Sequence, residues 1–232
     1  MAHFHIPKPL HGWREFVGEV GIIVLGVLIA LSAEQMVEML HWRRELAATR
    51  EALSAELGRD VGIIDFDTAQ GSCIDRRLGQ LEEWLAASRG GHDILLAHPI
   101  GRPSQYSLAS TVWETARSGD AAAHMRVNER LAFAHAYDDL DNVSRLLERQ
   151  RDGWWALSQF NGARSLDHSD QMRLEQLIAT LRSIRLIIAV NARLVHGWVT
   201  PMKLTVERVP VFAPDADRSF CERLFQEPGR QG

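Results

Sequence analysis

The hydrophobic pattern opens on one uninterrupted apolar block and then settles into helical seams. Val20 to Ala33 is fourteen residues with no charge, and Ser32 is its one hydroxyl. A block of that length fits a buried core helix as well as a membrane span. The flanks favour the span. Trp13 and Trp42 stand 29 residues apart. That is roughly 43 Å along a helix at about 1.5 Å per residue, and a bilayer with its headgroups is about 40–45 Å thick. Tryptophan collects at that boundary because its ring is apolar and its N–H wants a wet partner. The pattern therefore predicts a transmembrane helix over 13–42 with an aromatic anchor at each end. A cleaved signal peptide, with Ala30-Leu31-Ser32 as its small-residue site, is a third reading, and Glu19 just ahead of the block argues against it.

Beyond the block the period stays helical. Trp42, Leu46, Leu53 and Leu57 extend the first helix as a stalk, with a break or kink expected at Gly58 and Gly62. From about Asp65, Ile74, Leu78, Leu81 and Leu85 mark a second helix that stops before Gly90-Gly91. Residues 90–106, with Pro99, Gly101 and Pro103, read as a loop. A short helix capped by Ser107 or Ser110 follows and closes at Gly119. In the next helix, 128–160, Phe133, Leu140, Leu147 and Trp154 fall seven apart, with Val143 and Leu157 between them and Asn128 as N-cap. Asn161-Gly162 marks a turn. From Ser169 to Thr200, Leu174, Leu177, Leu181, Ile184, Ile188, Asn191, Val195 and Trp198 alternate spacings of three and four until Pro201 stops the helix. Asn191 is the one polar residue of that seam, the kind that fixes register or partner; lining a ligand cavity beside Trp155 is its other reading. In the tail, Leu204, Val206, Val209 and Val211 suit a short extended segment, and Ser219–Phe225 a helical turn docked by Phe220, Leu224 and Phe225.

The expected architecture is all-α: a transmembrane helix continuing as a stalk into an antiparallel helical bundle. Its divisions are an N-terminal tail (1–12), the membrane helix (13–42), the stalk and bundle (43–200) and a proline-containing tail (201–232).

The membrane helix carries a stripe. At about 100° per residue, Glu19, Gly26, Ala30, Ala33 and Val37 share one face. Gly26-x-x-x-Ala30 lets two backbones approach closely in lipid, which points to a second copy or another membrane protein as partner besides the bilayer itself. The bland reading is that small residues are common in such helices and that Glu19 reaches the headgroups.

Charge adds mainly exclusions. The formal net charge is −4 with both signs interspersed, so no basic face suits a nucleic acid. Lys8 and Lys203 are the only lysines, a skew toward arginine that suggests a GC-rich bacterial genome more than a mechanism; with the predicted span, the expected location is a bacterial inner membrane. Cys73 and Cys221 are too few for a four-cysteine zinc site and allow one disulfide in an oxidising space. Lys8 and Arg14 precede the span while Arg43, Arg44 and Arg50 follow it, which by the positive-inside rule places the C-terminal domain in the cytoplasm. A signal-anchor reading and the cysteine pair lean the other way, toward a periplasmic domain.

No catalytic set assembles. The chain has no H-E-x-x-H, C-x-x-C, phosphate-binding glycine loop or G-x-S-x-G. His3 and His5 form a poor metal pair. His135 and Asp139, at i and i+4, read as a solvated face or a local ion pair. Trp154 belongs in the core, and Trp155 lies one step off the seam. No enzyme activity, metal or cofactor is expected.

The block Gly18-Glu19-Val20-Gly21-Ile22-Ile23-Val24-Leu25-Gly26-Val27-Leu28-Ile29-Ala30-Leu31, preceded by Trp13-Arg14, resembles the start of an uncharacterised family of bacterial single-pass membrane proteins. Trp113-Glu114-Thr115-Ala116-Arg117-Ser118-Gly119 is similar to that family's mid-chain W-x-x-x-x-S-G pattern. The resemblance implies a membrane protein and carries over no activity or site residue. The expectation is a membrane-anchored interaction or sensory module, with a small-molecule-binding envelope sensor and an enzyme of unrecognised site as alternatives.

Overall fold

The computed structural model describes residues 12–92, 94–209 and 219–225, and these make an all-α chain. Its helices are α1 (Gly12–Ala69), α2 (Gly71–Arg89), α3 (Thr111–Ser118), α4 (Ala121–His124), α5 (Val127–Leu157) and α6 (His168–Val199), with 3₁₀ turns at Ser158–Phe160 and Thr200–Met202. The chain divides into two compact units between Ala48 and Thr49.

The first unit is the N-terminal part of α1. This helix is long and apolar enough to span a membrane, and none of its most apolar stretch is buried. Every residue from Phe16 to Leu40 is exposed, and a Cβ added at Gly18, Gly21 or Gly26 would meet nothing within 4 Å. The hydroxyl of Ser32 donates to the Leu28 carbonyl at 2.7 Å, so the block's one polar side chain is satisfied inside its own helix.

The second unit is built on the remainder of α1. Leu53, Leu57, Val61 and Ile64 recur at helical spacing and are fully or almost fully buried. The same stretch of α1 is tied to α5, where Tyr137 donates to Glu56 and Gln150 to Asp67. The expected positions on α2 (Ile74, Leu78, Leu81, Leu85) and on α5 (Phe133, Leu140, Val143, Leu147, Trp154, Leu157) are all buried. α5 and α6 pair closely: a Cβ on Gly153 would stand 2.8 Å from Leu181 Cδ2. A turn through Gly162, at φ +78°, joins them, and α6 starts with a reciprocal capping box between Asp167 and Asp170.

Three local expectations are corrected. The buried line of α6 runs Leu174, Ile178, Leu181, Ile184, Ile188, Ala192, Val195, Val199. Leu177, Asn191 and Trp198 lie beside it, so Asn191 is not a core seam residue. The N-cap position of α5 is Arg126, not Asn128, and no side chain caps it. α1 does not break at Gly58 or Gly62; it ends at Ala69, before Gln70.

Those two glycines have another use. A Cβ on Gly58 would lie 2.2 Å from the Thr205 carbonyl oxygen, and one on Gly62 1.9 Å from that of Glu207. The Glu207 amide donates to the Gly58 carbonyl at 3.2 Å. Residues 204–209, without regular structure, lie directly on the α1 backbone, and only glycine leaves room. Val211, the last residue of the expected extended segment, falls outside the described residues.

The second terminal stretch, 219–225, docks on α2. Phe220 and Leu224 are buried in the core. Arg76 donates to the Cys221 carbonyl at 2.9 Å, and Arg77 Nη2 donates to the carbonyls of Ser219, Phe220 and Glu222. Burial pulls Arg77 down to about 10, against the opposing charge of Glu222. Gln80 accepts from the Leu224 amide, the Leu224 carbonyl accepts from Ala97, and Leu96 and Phe225 form an isolated antiparallel bridge. Cys73 and Cys221 are joined in a disulfide, with Cα atoms 4.8 Å apart. These tail residues therefore belong to the packed unit.

Gly62→Ala should destabilise the second unit by about 1–3 kcal/mol, the usual cost of overpacking, read as a lowered urea midpoint. Gly79→Ala is the control: it sits in a helix with nothing within 4 Å of the added Cβ and should be neutral or stabilising by up to ~1 kcal/mol. Equal midpoints for the two variants would mean that 204–209 does not pack on α1.

Candidate functional site

The sequence-derived candidates do not converge on one place. Glu19, Gly26, Ala30 and Ala33 are all exposed within the first unit. Trp13 is 78 % exposed and packs at 5.9 Å on Phe16, while Trp42 is half-buried and meets His41 edge-on at 5.4 Å. Asn191 is half-buried on α6, and its side-chain amide donates to the Ile187 carbonyl of its own helix. Trp155 is exposed beneath the Arg102 guanidinium, 4.1 Å from the ring centroid. It lies toward the Gly153–Leu181 end of the α5–α6 pair and Asn191 toward the His135–Trp198 end, so the suggested cavity between them does not form. His135 and Asp139 do not pair with each other. They hold Trp198: the His135 ring stacks on the indole at 4.7 Å, and the indole N–H donates to Asp139 at 2.9 Å. His3 and His5 fall outside the described residues. Among the described residues no group of three or more His, Cys, Asp or Glu gathers as metal ligands would.

Sequence reasoning missed a buried polar network around α1. Asp60 is fully buried, and both its oxygens accept from the Ala109 amide at 3.2 Å, with Arg59 beside one of them. One turn earlier, Glu56 accepts from the Val112 amide at 3.0 Å and from the Tyr137 hydroxyl at 2.8 Å. Trp113 stacks on Tyr137 with centroids 5.4 Å apart, which gives the W-x-x-x-x-S-G segment a packing role. Burial pushes the Asp60 carboxyl up to about 6, against the pull of the Ala109 amide and Arg59. Burial also raises Asp67, which accepts from Gln150. Burial and the Glu56 carboxylate push Tyr137 far above its usual range, so its hydroxyl remains a donor. Every one of these groups has a protein partner. The network is structural in character, and its i, i+4 carboxylates on an otherwise apolar face are the only sequence signal it offered.

A different arrangement stands at the start of α5. There a groove of about 860 Å³ is lined by Arg50 and Ser54 of α1, Arg126 at the N-cap of α5, Glu129 and Phe133 of α5, and Met202 after α6, among others. Arg50 grips Glu129 with two contacts, at 2.5 and 3.0 Å. That pairing holds Glu129 below its usual range and Arg50 above its own. Arg126 approaches the same carboxylate at only 3.7 Å and is 87 % exposed. Two guanidiniums thus share one carboxylate over an apolar floor.

A scan against protein-family models and searches of the curated proteins and the solved structures return no match.

Asp60 sets a pH dependence. Its carboxyl titrates near 6 when folded and near 3.9 when unfolded. The protonated form is therefore favoured by folding. Its stabilising contribution is complete below about pH 4 and is lost as pH rises through about 6, by at most ~3 kcal/mol at about 1.36 kcal/mol per unit. Comparing urea midpoints of the wild type and Asp60→Asn at pH 4 and pH 7 should show the wild type losing more stability over that interval. Parallel profiles would place the titration in another group.

Proposed function

We propose that the chain is a membrane-tethered helical binding module of a bacterial inner membrane. α1 crosses the bilayer once, and the second unit lies on the oxidising, periplasmic side and binds a partner rather than transforming it. The observation that carries this reading is the uncovered apolar run: among the described residues, nothing shields the stretch from Phe16 to Leu40 from solvent. Leaving that surface in water would oppose folding and solubility at about 25 cal/mol per Å² of apolar area, whereas lipid removes the cost. The Cys73–Cys221 bond supports the oxidising side, since such bonds persist outside the reducing cytosol. The likeness of the Gly18–Leu31 block to bacterial single-pass proteins supports the membrane anchor, not the side on which the second unit lies.

Two surfaces suit an interaction role. The stripe of Gly26, Ala30 and Ala33 leaves the α1 backbone open to a second copy or another membrane helix. On the outer face of α6, Leu186, Ile187, Val190 and Leu194 are exposed together, a concentration of apolar surface that marks contact sites more often than chance. Asn191 sits among them, where a polar residue limits register.

Alkaline carbonate washing should leave the full chain in the membrane fraction; release into the soluble fraction would overturn the anchor. Alkylation of protein taken directly from cells, followed by mass spectrometry, should find both cysteines blocked, and free thiols would overturn the periplasmic placement. Gly26→Leu with Ala30→Leu should lower a membrane two-hybrid signal several-fold. An unchanged signal would remove self-association through the stripe while leaving the anchor intact.

A further inference from the structure

The groove at the start of α5 has the composition of a ligand site that the packed unit does not itself use. We propose that it binds an amphiphilic carboxylate of the fatty-acid kind, with the head on Arg126 and Arg50 and the chain along Phe133, Ala132 and Met202. The inference rests on the reading of the second unit as a binding module and names its ligand class.

Four observations converge. The cavity, about 860 Å³, falls within the roughly 300–1,000 Å³ usual for small-molecule sites. Its charge does not balance, because Arg50 and Arg126 face the single carboxylate of Glu129. Glu129 is already held by two short contacts from Arg50, so Arg126, at 3.7 Å, keeps most of its donors for another acceptor. The same wall is the first turn of α5, a helix of 31 residues whose N-terminus no side chain caps. Val127, Asn128 and Glu129 of that turn line the groove, and their orphan amides add a positive field that favours an anion. A carboxylate satisfies the guanidinium and this helix end together. The floor chooses the rest of the ligand: Phe133 is buried in the core, while the side chains of Ala132, Val127 and Met202 offer carbon rather than a hydrogen-bond donor. A small hydrophilic anion would leave that floor wet, and a neutral hydrocarbon would leave Arg126 unmatched.

The test uses the full chain in phosphatidylcholine nanodiscs and a photoactivatable decanoate carrying a diazirine near the chain end, with labelled residues mapped by mass spectrometry. Label is expected in 126–133 or 198–202, and excess octanoate should compete it away. Arg126→Gln should reduce labelling about tenfold, the effect of losing one charge-assisted hydrogen bond, and Arg126→Lys should restore part of it. Arg173→Gln, an exposed arginine elsewhere on α6, should leave it unchanged. Label spread over α1 alone, or insensitivity to Arg126→Gln, would overturn the proposal. Replacing half of the lipid with phosphatidylglycerol separates two sources of anion: persistence of the label supports a free carboxylate, and its loss would mean that the groove seats a bilayer phosphate instead. Carbonate extraction is independent of all these outcomes, so failure here and failure of the anchor remain distinguishable.

Discussion

The second unit depends on helix side chains that hydrogen-bond an irregular stretch of backbone. Residues 94–110 contain no helix, yet they run against the packed helices. Each buried amide and carbonyl on such a path needs a partner. The helices supply them. Gln70, at the break between α1 and α2, grips Ser104 from both sides, donating to its carbonyl at 2.8 Å and accepting from its amide at 3.0 Å. Asn161 accepts from the Ile100 amide, Asp60 from that of Ala109, and the Trp84 indole donates to the Ile94 carbonyl. Losing one such partner strands the other, at about 1–3 kcal/mol each. The stretch is thus held as a strand would be, with side chains in place of a neighbouring strand.

This explains why charged groups tolerate the interior. Asp60 is costly to bury ionised, which is why its carboxyl titrates near 6, but it anchors the approach to α3. Arg77 does the same at the far end, gathering three carbonyls of 219–223 on one nitrogen, with the disulfide tying the same stretch to α2. Closing a loop of 148 residues constrains the unfolded chain by about 4–5 kcal/mol in the chain-entropy description. Terminal residues that would otherwise fray instead complete the core through Phe220 and Leu224.

How much of this could be read from the residues follows from the range of each interaction. The apolar block and the α5 seam are local patterns: the block forms an exposed helix long and apolar enough to span a membrane, and the α5 seam is buried as its spacing predicts. The α6 seam slipped by one residue at Leu177, Asn191 and Trp198, and at the last two the reason is geometric. Strict alternation of three and four repeats every 3.5 residues, whereas a straight helix turns every 3.6 and drifts by about 20° per heptad. By its second half the buried line has passed to Ala192 and Val199, and Asn191 and Trp198 are left on its flank. The glycines of α1 were legible as unusual but not as a landing place, because what lands on them comes from 205–207. The networks of Asp60, Glu56 and Arg77 join residues that are 49 to 145 positions apart, and no local period encodes that. The groove was invisible for the same reason: it forms from α1, α5 and the turn after α6.

The two polar assemblies of the second unit are opposites in kind. Around Asp60 and Glu56 charge is buried and each carboxylate is satisfied by the protein, so adding a ligand would displace a bond already made. At the start of α5 the charge is exposed, its carboxylate is oversubscribed, and the helix end is uncapped. Evolution keeps buried networks when packing depends on them, but packing gains little from an uncapped helix beside an exposed arginine. A Ser or Asp at position 126 would cap α5 and stabilise it by roughly 1 kcal/mol. Arginine at that position forgoes that gain and leaves both the helix end and its own guanidinium facing an apolar cleft. The local cost is intelligible if an anion from outside the chain makes the bonds that the chain does not.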